Sequence, residues 1–342
     1  MLHEPGEPYE LADDNLEPGR TTAEEHEEGE SIFAFLRRRI GERAWVTPLV
    51  LFVLSAGVFG AFAWERVTDQ SSDPHFVYLA NTFNTMLAAP FSEEAAEQRD
   101  GKKPFEMQRS PPHRNDWANY WELTLDDGSE YRGVWLDEQG EGRFKTLDDK
   151  VYYIERSKID HRASERRYFV SFPPGPAVLM MPLAAIWGYD VNDVLFTLFF
   201  AALNVALMYI LLRKLSVVGR SGRSRSENLW LTALFGFGTA HLWCAVLGQV
   251  WFTALIVGVT FALLYILCAI DARYPLLAGI FLAAGFATRT PLLFTSLFFF
   301  AFVFFPGGKW RKDNWGEAAK KLALFCAPCL IVGLSLLYMN HL

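Results

Sequence analysis

The chain has 342 residues, 51% of them apolar and 21% charged, with a formal net charge of −7. That charge comes largely from the N-terminal tail and says nothing about nucleic acid, and no basic-aromatic face suggests such a partner. Cys244, Cys268, Cys326 and Cys329 all fall in apolar runs, which excludes a disulfide framework. The Cys326-x-x-Cys329 spacing reads as small packing residues in an apolar helix and not as a redox or metal site.

Residues 1–30 are acidic and nearly free of large apolar side chains, so they read as a disordered cytoplasmic tail. Residues 31–45 alternate apolar and basic side chains at helical spacing and predict an amphipathic helix on the membrane surface. The first apolar run, Val46–Trp64, starts too late and runs too long for a cleaved signal peptide, so it reads as an anchor. Further apolar runs cover Val191–Leu212, Leu229–Leu247, Val250–Ile270, Pro275–Phe305 and Leu322–Met339. Their lengths match membrane spans.

Basic residues orient these runs. Arg37, Arg38, Arg39 and Arg43 precede the first; Arg213, Lys214, Arg220, Arg223 and Arg225 follow the second; Lys309, Arg311, Lys312, Lys320 and Lys321 precede the last. All three clusters are expected on the cytoplasmic side. The apolar stretch after Phe172-Pro173-Pro174-Gly175-Pro176 is too short to span and predicts a juxtamembrane or re-entrant helix ending at Trp187-Gly188. Pro275–Phe305 reads as a hairpin of two short helices with Arg289-Thr290-Pro291 at its tip. The expected fold is thus an all-α polytopic bundle of about seven transmembrane helices. A small extracytoplasmic β-rich insertion fills the first outer loop, residues 65–167. Within it, Trp121–Leu125, Tyr131–Leu136, Arg143–Leu147 and Val151–Glu155 alternate with turn residues and predict a β-meander over about 117–156.

On this topology several polar residues converge on the outer face. Asp69 and Asp73 follow the first span, with His75 close by. Tyr168 leads into the Pro-Pro-Gly-Pro turn. His241 and Gln249 lie near the outer tip of the third and fourth spans, and Arg289 at the hairpin tip. A carboxylate at a membrane cavity is costly and can act as a general base. An arginine at membrane depth suits a phosphate, which its planar fork binds bidentately. Each residue also has a plainer reading. Asp69 and Asp73 could cap helices, Asp73 with Pro74 in the first turn. His75 and His241 could be packed, and Arg289 could reach for headgroups.

The arrangement resembles the C-type (GT-C) membrane glycosyltransferases, in the branch of the aminoarabinose transferases and protein O-mannosyltransferases. Asp73-Pro74-His75-Phe76-Val77-Tyr78-Leu79-Ala80 is similar to that branch's acidic first-loop motif, with Pro74 in place of a second acidic residue. Pro173-Pro174-Gly175-Pro176 through Trp187-Gly188 is similar to its juxtamembrane segment. Ala278–Pro291 is similar to its small-residue span and tip, with Arg289 in place of a lysine. The resemblance covers roughly residues 45–340, within a transmembrane domain set at 46–342. It implies transfer of a sugar or sugar-like group from a polyprenyl-phosphate donor to an extracytoplasmic acceptor in the plasma (inner) membrane. Asp73 would be the base, Asp69 a second acidic candidate, and Arg289 the donor-phosphate clamp, with His75, Tyr168, His241 and Gln249 lining the site. No cofactor is required by this reading, and a divalent metal is left open. The alternative from another class is a non-catalytic scaffold or transporter with a partner-binding outer loop.

The segregation of basic residues generates a direct test. A cysteine replacing Ser129 should react with an impermeant thiol reagent in intact cells, and one replacing Ser221 should not; the reverse pattern would invert the topology.

Overall fold

The computed structural model describes residues 45–112, 116–137 and 142–341. The expected tail and surface helix lie outside these residues, apart from Trp45. The helices are α1 (Val46–Ala63), α2 (His75–Ala88), α3 (Glu93–Arg99), α4 (Gly175–Trp187), α5 (Asp193–Val217), α6 (Arg225–Phe237), α7 (Ala240–Leu247), α8 (Val250–Ala269), α9 (Pro275–Phe286), α10 (Ser296–Phe304) and α11 (Trp315–His341). The strands are β1 (Ala118–Thr124), β2 (Glu130–Trp135), β3 (Arg143–Thr146), β4 (Val151–Tyr153) and β5 (Glu165–Phe169).

Four helical segments, Val46–Val67, Asp193–Val217, Val250–Ala272 and Trp315–His341, are long and apolar enough to cross a membrane. The pair α6–α7, bent by 50°, makes a fifth if it is one broken span. This is a helical membrane protein, but helix length does not reach the expected seven spans. The run expected as one span over Leu229–Leu247 breaks at Gly238 and Thr239, where the Thr239 hydroxyl accepts from His241 N and starts α7. The hairpin helices are short: α9 has 12 residues and α10 has 9. They rise about 18 Å and about 14 Å, against a hydrocarbon core about 30 Å thick. The juxtamembrane helix α4, with 13 residues, is likewise too short to span.

Helix α5 organises the bundle through polar rungs. The Thr197 and Thr253 hydroxyls lie 2.7 Å apart, and Thr260 Oγ1 donates to Asn204 Oδ1 at 2.6 Å. Asn204 Nδ2 donates to Ile256 O at 2.9 Å. Residue numbers rise together along both helices, so α5 and α8 run parallel, as a returning α6–α7 connection requires. These side chains are fully or almost fully buried, where an unpaired polar group is expensive and a paired one fixes register.

The contacts sort the bundle into two ends. At one end Arg225 Nη2 donates to Thr47 Oγ1 at 2.7 Å, and Arg220 pairs with Asp271. At the opposite end Gln70 Nε2 donates to Tyr189 O and Val191 O, each at 2.8 Å, and Asn192 Nδ2 donates to Val67 O at 2.9 Å. The arginine-rich loop and the loop after α1 thus lie at opposite ends, as the sequence leads one to expect.

The insertion folds as an antiparallel sheet in the order β4-β3-β2-β1-β5. The four meander strands lie where their alternation predicts. The fifth is additional: β5 returns to pair with β1, with Asn119 opposite Tyr168. Its Glu-Arg-Arg opening hides it from apolar periodicity. Leu123, Phe144, Ile154 and Ile159 form a small core on one face.

Arg167 of β5 holds the strap between α3 and the sheet. Its guanidinium reaches Glu106 Oε1 at 2.9 Å, Glu122 Oε2 at 3.0 Å and Glu165 Oε2 at 3.2 Å. The Glu106 side chain is 1% exposed. Burial works to raise the Glu122 carboxyl, but its hydrogen bond and charge contact with Arg167, with Arg132 and Lys103 behind, hold it below its usual value. A depressed carboxylate contributes stability at neutral pH that is lost as pH falls through the carboxylate range. Arg167→Met removes the partner shared by Glu106, Glu122 and Glu165, while Lys102 still reaches Glu106 at 3.1 Å, so a loss of about 1.5–3 kcal/mol is expected. Thermal unfolding of the insertion, followed by tryptophan fluorescence, should show this loss at pH 7 and a smaller one at pH 3.

Candidate functional site

The loop from Thr68 to Pro74 has no regular structure, so its place is set by what it touches. Gln70 is held as described above. The Ser71 N–H and hydroxyl donate to the two oxygens of Asp193, at 2.8 Å and 2.6 Å. Asp73 follows, 6% exposed, at the entrance to α2. Ser72 Oγ donates to Asp73 Oδ2 at 2.8 Å and accepts from Gln249 Nε2 at 3.0 Å. Two sequence candidates, Asp73 and Gln249, are thereby joined through a serine that the sequence did not single out. No other side chain among the described residues bonds the Asp73 carboxylate. Nor does it cap α2: Pro74 occupies the cap position, and no side-chain cap bond forms. Asp69 is exposed, and among the described residues its carboxylate bonds only Thr68 Oγ1, at 3.5 Å.

His75 is fully buried, and its ring stacks on Trp117 with centroids 3.7 Å apart. Its Nδ1 lies 3.1 Å from Asp73 O, so it secures the turn into α2. Tyr78 and Tyr189 pack beside it; burial pushes both phenols up, against the opposing charge of Arg109. Tyr168 stands on β5, where its carbonyl accepts from Met107 N at 3.1 Å and its ring sits under Arg166. His241 does not join this group. It is buried against Phe59 and Phe235, beside Asn204, and Asn204 lies eleven residues, or about 16 Å, along α5 from the loop end. The α6–α7 bend draws it into the bundle, away from the outer tip where the sequence had suggested it.

Arg289 begins the turn after α9. The Arg289 and Thr288 side chains flank Gly258 of α8, eight residues, or about 12 Å, below the first residue of that helix. The hairpin tip therefore lies within the depth of the bundle. Among the described residues the Arg289 guanidinium makes no hydrogen bond or ion pair. The returning arm is fixed by Tyr265, whose hydroxyl donates to Thr295 O at 2.8 Å and accepts from Phe299 N at 3.0 Å.

The Pro-Pro-Gly turn ties the two halves together. Phe172 packs its ring against His75 and Trp251, with centroids 5.6 Å and 6.1 Å apart. Three residues on, Gly175 N donates to Ala287 O at 2.7 Å. Asp73 and Arg289 thus lie two residues from opposite contacts of one short turn. Beside it is a largely apolar cavity of about 580 Å³, lined by Phe105, Phe169, Pro173, Phe286, Thr290 and Leu337 among others. Thr290 lines it; Asp73 and Arg289 do not. Among the described residues no cluster of three or more His, Cys, Asp or Glu side chains is arranged to hold a metal. All four cysteines are free, and Cys329 lies against Gly279.

Comparison with known protein families, with characterised proteins and with solved structures finds no match to this chain. Fold and site alone define its class, a helical membrane protein with a small sheet and a polar loop-end cluster.

A Cβ on Gly175 would overlap Thr288 Oγ1 and come within 2.9 Å of Ala287 O. Gly175→Ala should therefore cost about 1–3 kcal/mol through overpacking. Gly57→Ala, in a helix with open space around it, should be neutral or slightly stabilising. Thermal unfolding of the two variants in detergent makes the comparison.

Proposed function

We propose that the protein transfers a sugar or sugar-like group from a polyprenyl-phosphate donor to an extracytoplasmic acceptor. The observation that carries this reading is two uncommitted charges, each two residues from a contact of the turn at 172–175. The Asp73 carboxylate bonds only Ser72, and the Arg289 guanidinium bonds nothing among the described residues. Charges at such depth are normally paired, so a carboxylate and a guanidinium left open suit a base and an oxyanion clamp. The apolar cavity beside Thr290 offers room for the first part of a lipid chain. It lies within the range of ligand sites, about 300–1,000 Å³.

In this mechanism Arg289 binds the donor phosphate and stabilises its charge as the glycosidic bond to phosphate breaks. Asp73 takes the proton of the acceptor group as the new bond forms, and Gln249 holds Ser72 so that the carboxylate keeps one orientation. The reading places the N-terminus in the cytoplasm of the plasma membrane, the sheet outside, and the α9–α10 hairpin returning to the side it leaves. If α6–α7 counts as one span and the hairpin arms as two short ones, the bundle has the seven crossings expected.

Membranes carrying the protein should transfer label from a polyprenyl-phosphate sugar. Asp73→Asn should reduce transfer by about 10²–10⁴-fold, the range of general base catalysis, with donor binding retained. Arg289→Ala should raise the donor KM. Full transfer by Asp73→Asn would leave the scaffold reading in its place.

A further inference from the structure

Asp193 is 3% exposed, the first residue of α5, and part of none of the chemistry above. A carboxylate this buried needs donors to both oxygens, and here both come from Ser71. The N-terminal end of α5 adds the favourable field of its aligned peptide dipoles. Ser71 Oγ also accepts from Asp73 N at 3.3 Å. The loop therefore passes from a buried anion, through one serine, to the backbone of Asp73. On the α1 side of the loop the restraints through Gln70 and Asn192 are neutral amide contacts that stop short of Asp73, while Gln249 holds Ser72 and His75 holds the Asp73 carbonyl from the α2 side.

We propose that Asp193 is a positioning residue for Asp73, locking the Ser71-Ser72-Asp73 segment so that the Asp73 carboxylate keeps its orientation toward Ser72 and Gln249. The lock is a property of the loop; its catalytic meaning rests on the function proposed above. A hydrogen bond to a charged acceptor is stronger than a neutral one, which suits a segment with no helix or strand to hold it. Losing either partner frees the backbone on which Asp73 sits. Ser71→Ala removes the hydroxyl bond that Asp193→Asn also weakens, and the Ser71 N–H stays as a donor in both, so the effects overlap and should not add.

The test reads position 73 without using activity. With Asp73→Cys as reporter, alkylation by a charged maleimide is followed by mass spectrometry of the peptide containing residue 73. Ser71→Ala and Asp193→Asn should each speed alkylation by about tenfold or more, the scale set by loss of a charge-assisted hydrogen bond. The double variant should be no faster than the quicker single one. Asp190→Asn, which removes an exposed carboxylate three residues away, should change nothing. An unchanged rate in Asp193→Asn, or independent multiplying effects, would overturn the lock. If Asp193→Asn does not fold, Ser71→Ala decides alone. In the chain that retains Asp73, Asp193→Asn should lower kcat and leave donor KM unchanged; a KM effect with normal kcat would refute positioning. Absence of transfer by the parent protein would sink the transferase reading while the alkylation result still stood.

Discussion

A chain that breaks its helices at membrane depth must satisfy the freed backbone groups from within, because hydrocarbon offers no hydrogen bonds. Here the start of α4 at 175 and the end of α9 at 286 meet, and each terminus serves the other. Gly175 N reaches Ala287 O, and the Thr288 hydroxyl turns back to Ala284 O. The contact leaves no room for a side chain at residue 175. The position of Arg289, the course of α4 and the wall of the apolar cavity all depend on this junction.

The rest of the bundle supplies a frame rigid enough to hold it. Helices α5 and α8 are joined by hydroxyl and amide rungs, which set their register more sharply than apolar packing could. Close approach does the same between α9 and α11: a side chain at Gly279 would strike the backbone of Phe325, whose ring stacks on Phe299 at 4.0 Å. Outside the bundle the sheet is stabilised differently, by a small apolar core and by the ion network around Arg167. The strap held by that network carries Phe105, with φ of 60°, to the edge of the cavity.

The loop-end cluster is chemically graded. Its amide contacts fix the first part of the loop, a buried carboxylate holds the middle, and the Asp73 carboxylate, bonded to Ser72, comes last. Two acidic groups at this end of the bundle, one in the loop and one opening α5, are thus held differently. Asp193 accepts both Ser71 donors, whereas among the described residues the Asp73 carboxylate accepts only from Ser72.

Much of this was legible in the sequence. Apolar run length marked the membrane helices, basic clusters separated the two bundle ends, and alternation placed four strands within three residues. Asp73, Gln249 and Arg289 stood out because polar residues beside long apolar runs are costly. Other features depended on contacts between residues far apart in the chain. Strand β5 exists because β1 offers an open edge, although its own residues are charged. His241 was drawn inward by a bend at Gly238 and Thr239 that neither residue demands alone. Asp193 was passed over because an aspartate at the start of a helix looks like a local cap, and its partner Ser71 is 122 residues away. Sequence determines which segments must leave water and which residues are costly there. Only the tertiary structure decides which of those costly groups satisfy one another and which remain open, because that depends on distances between segments that local pattern does not encode.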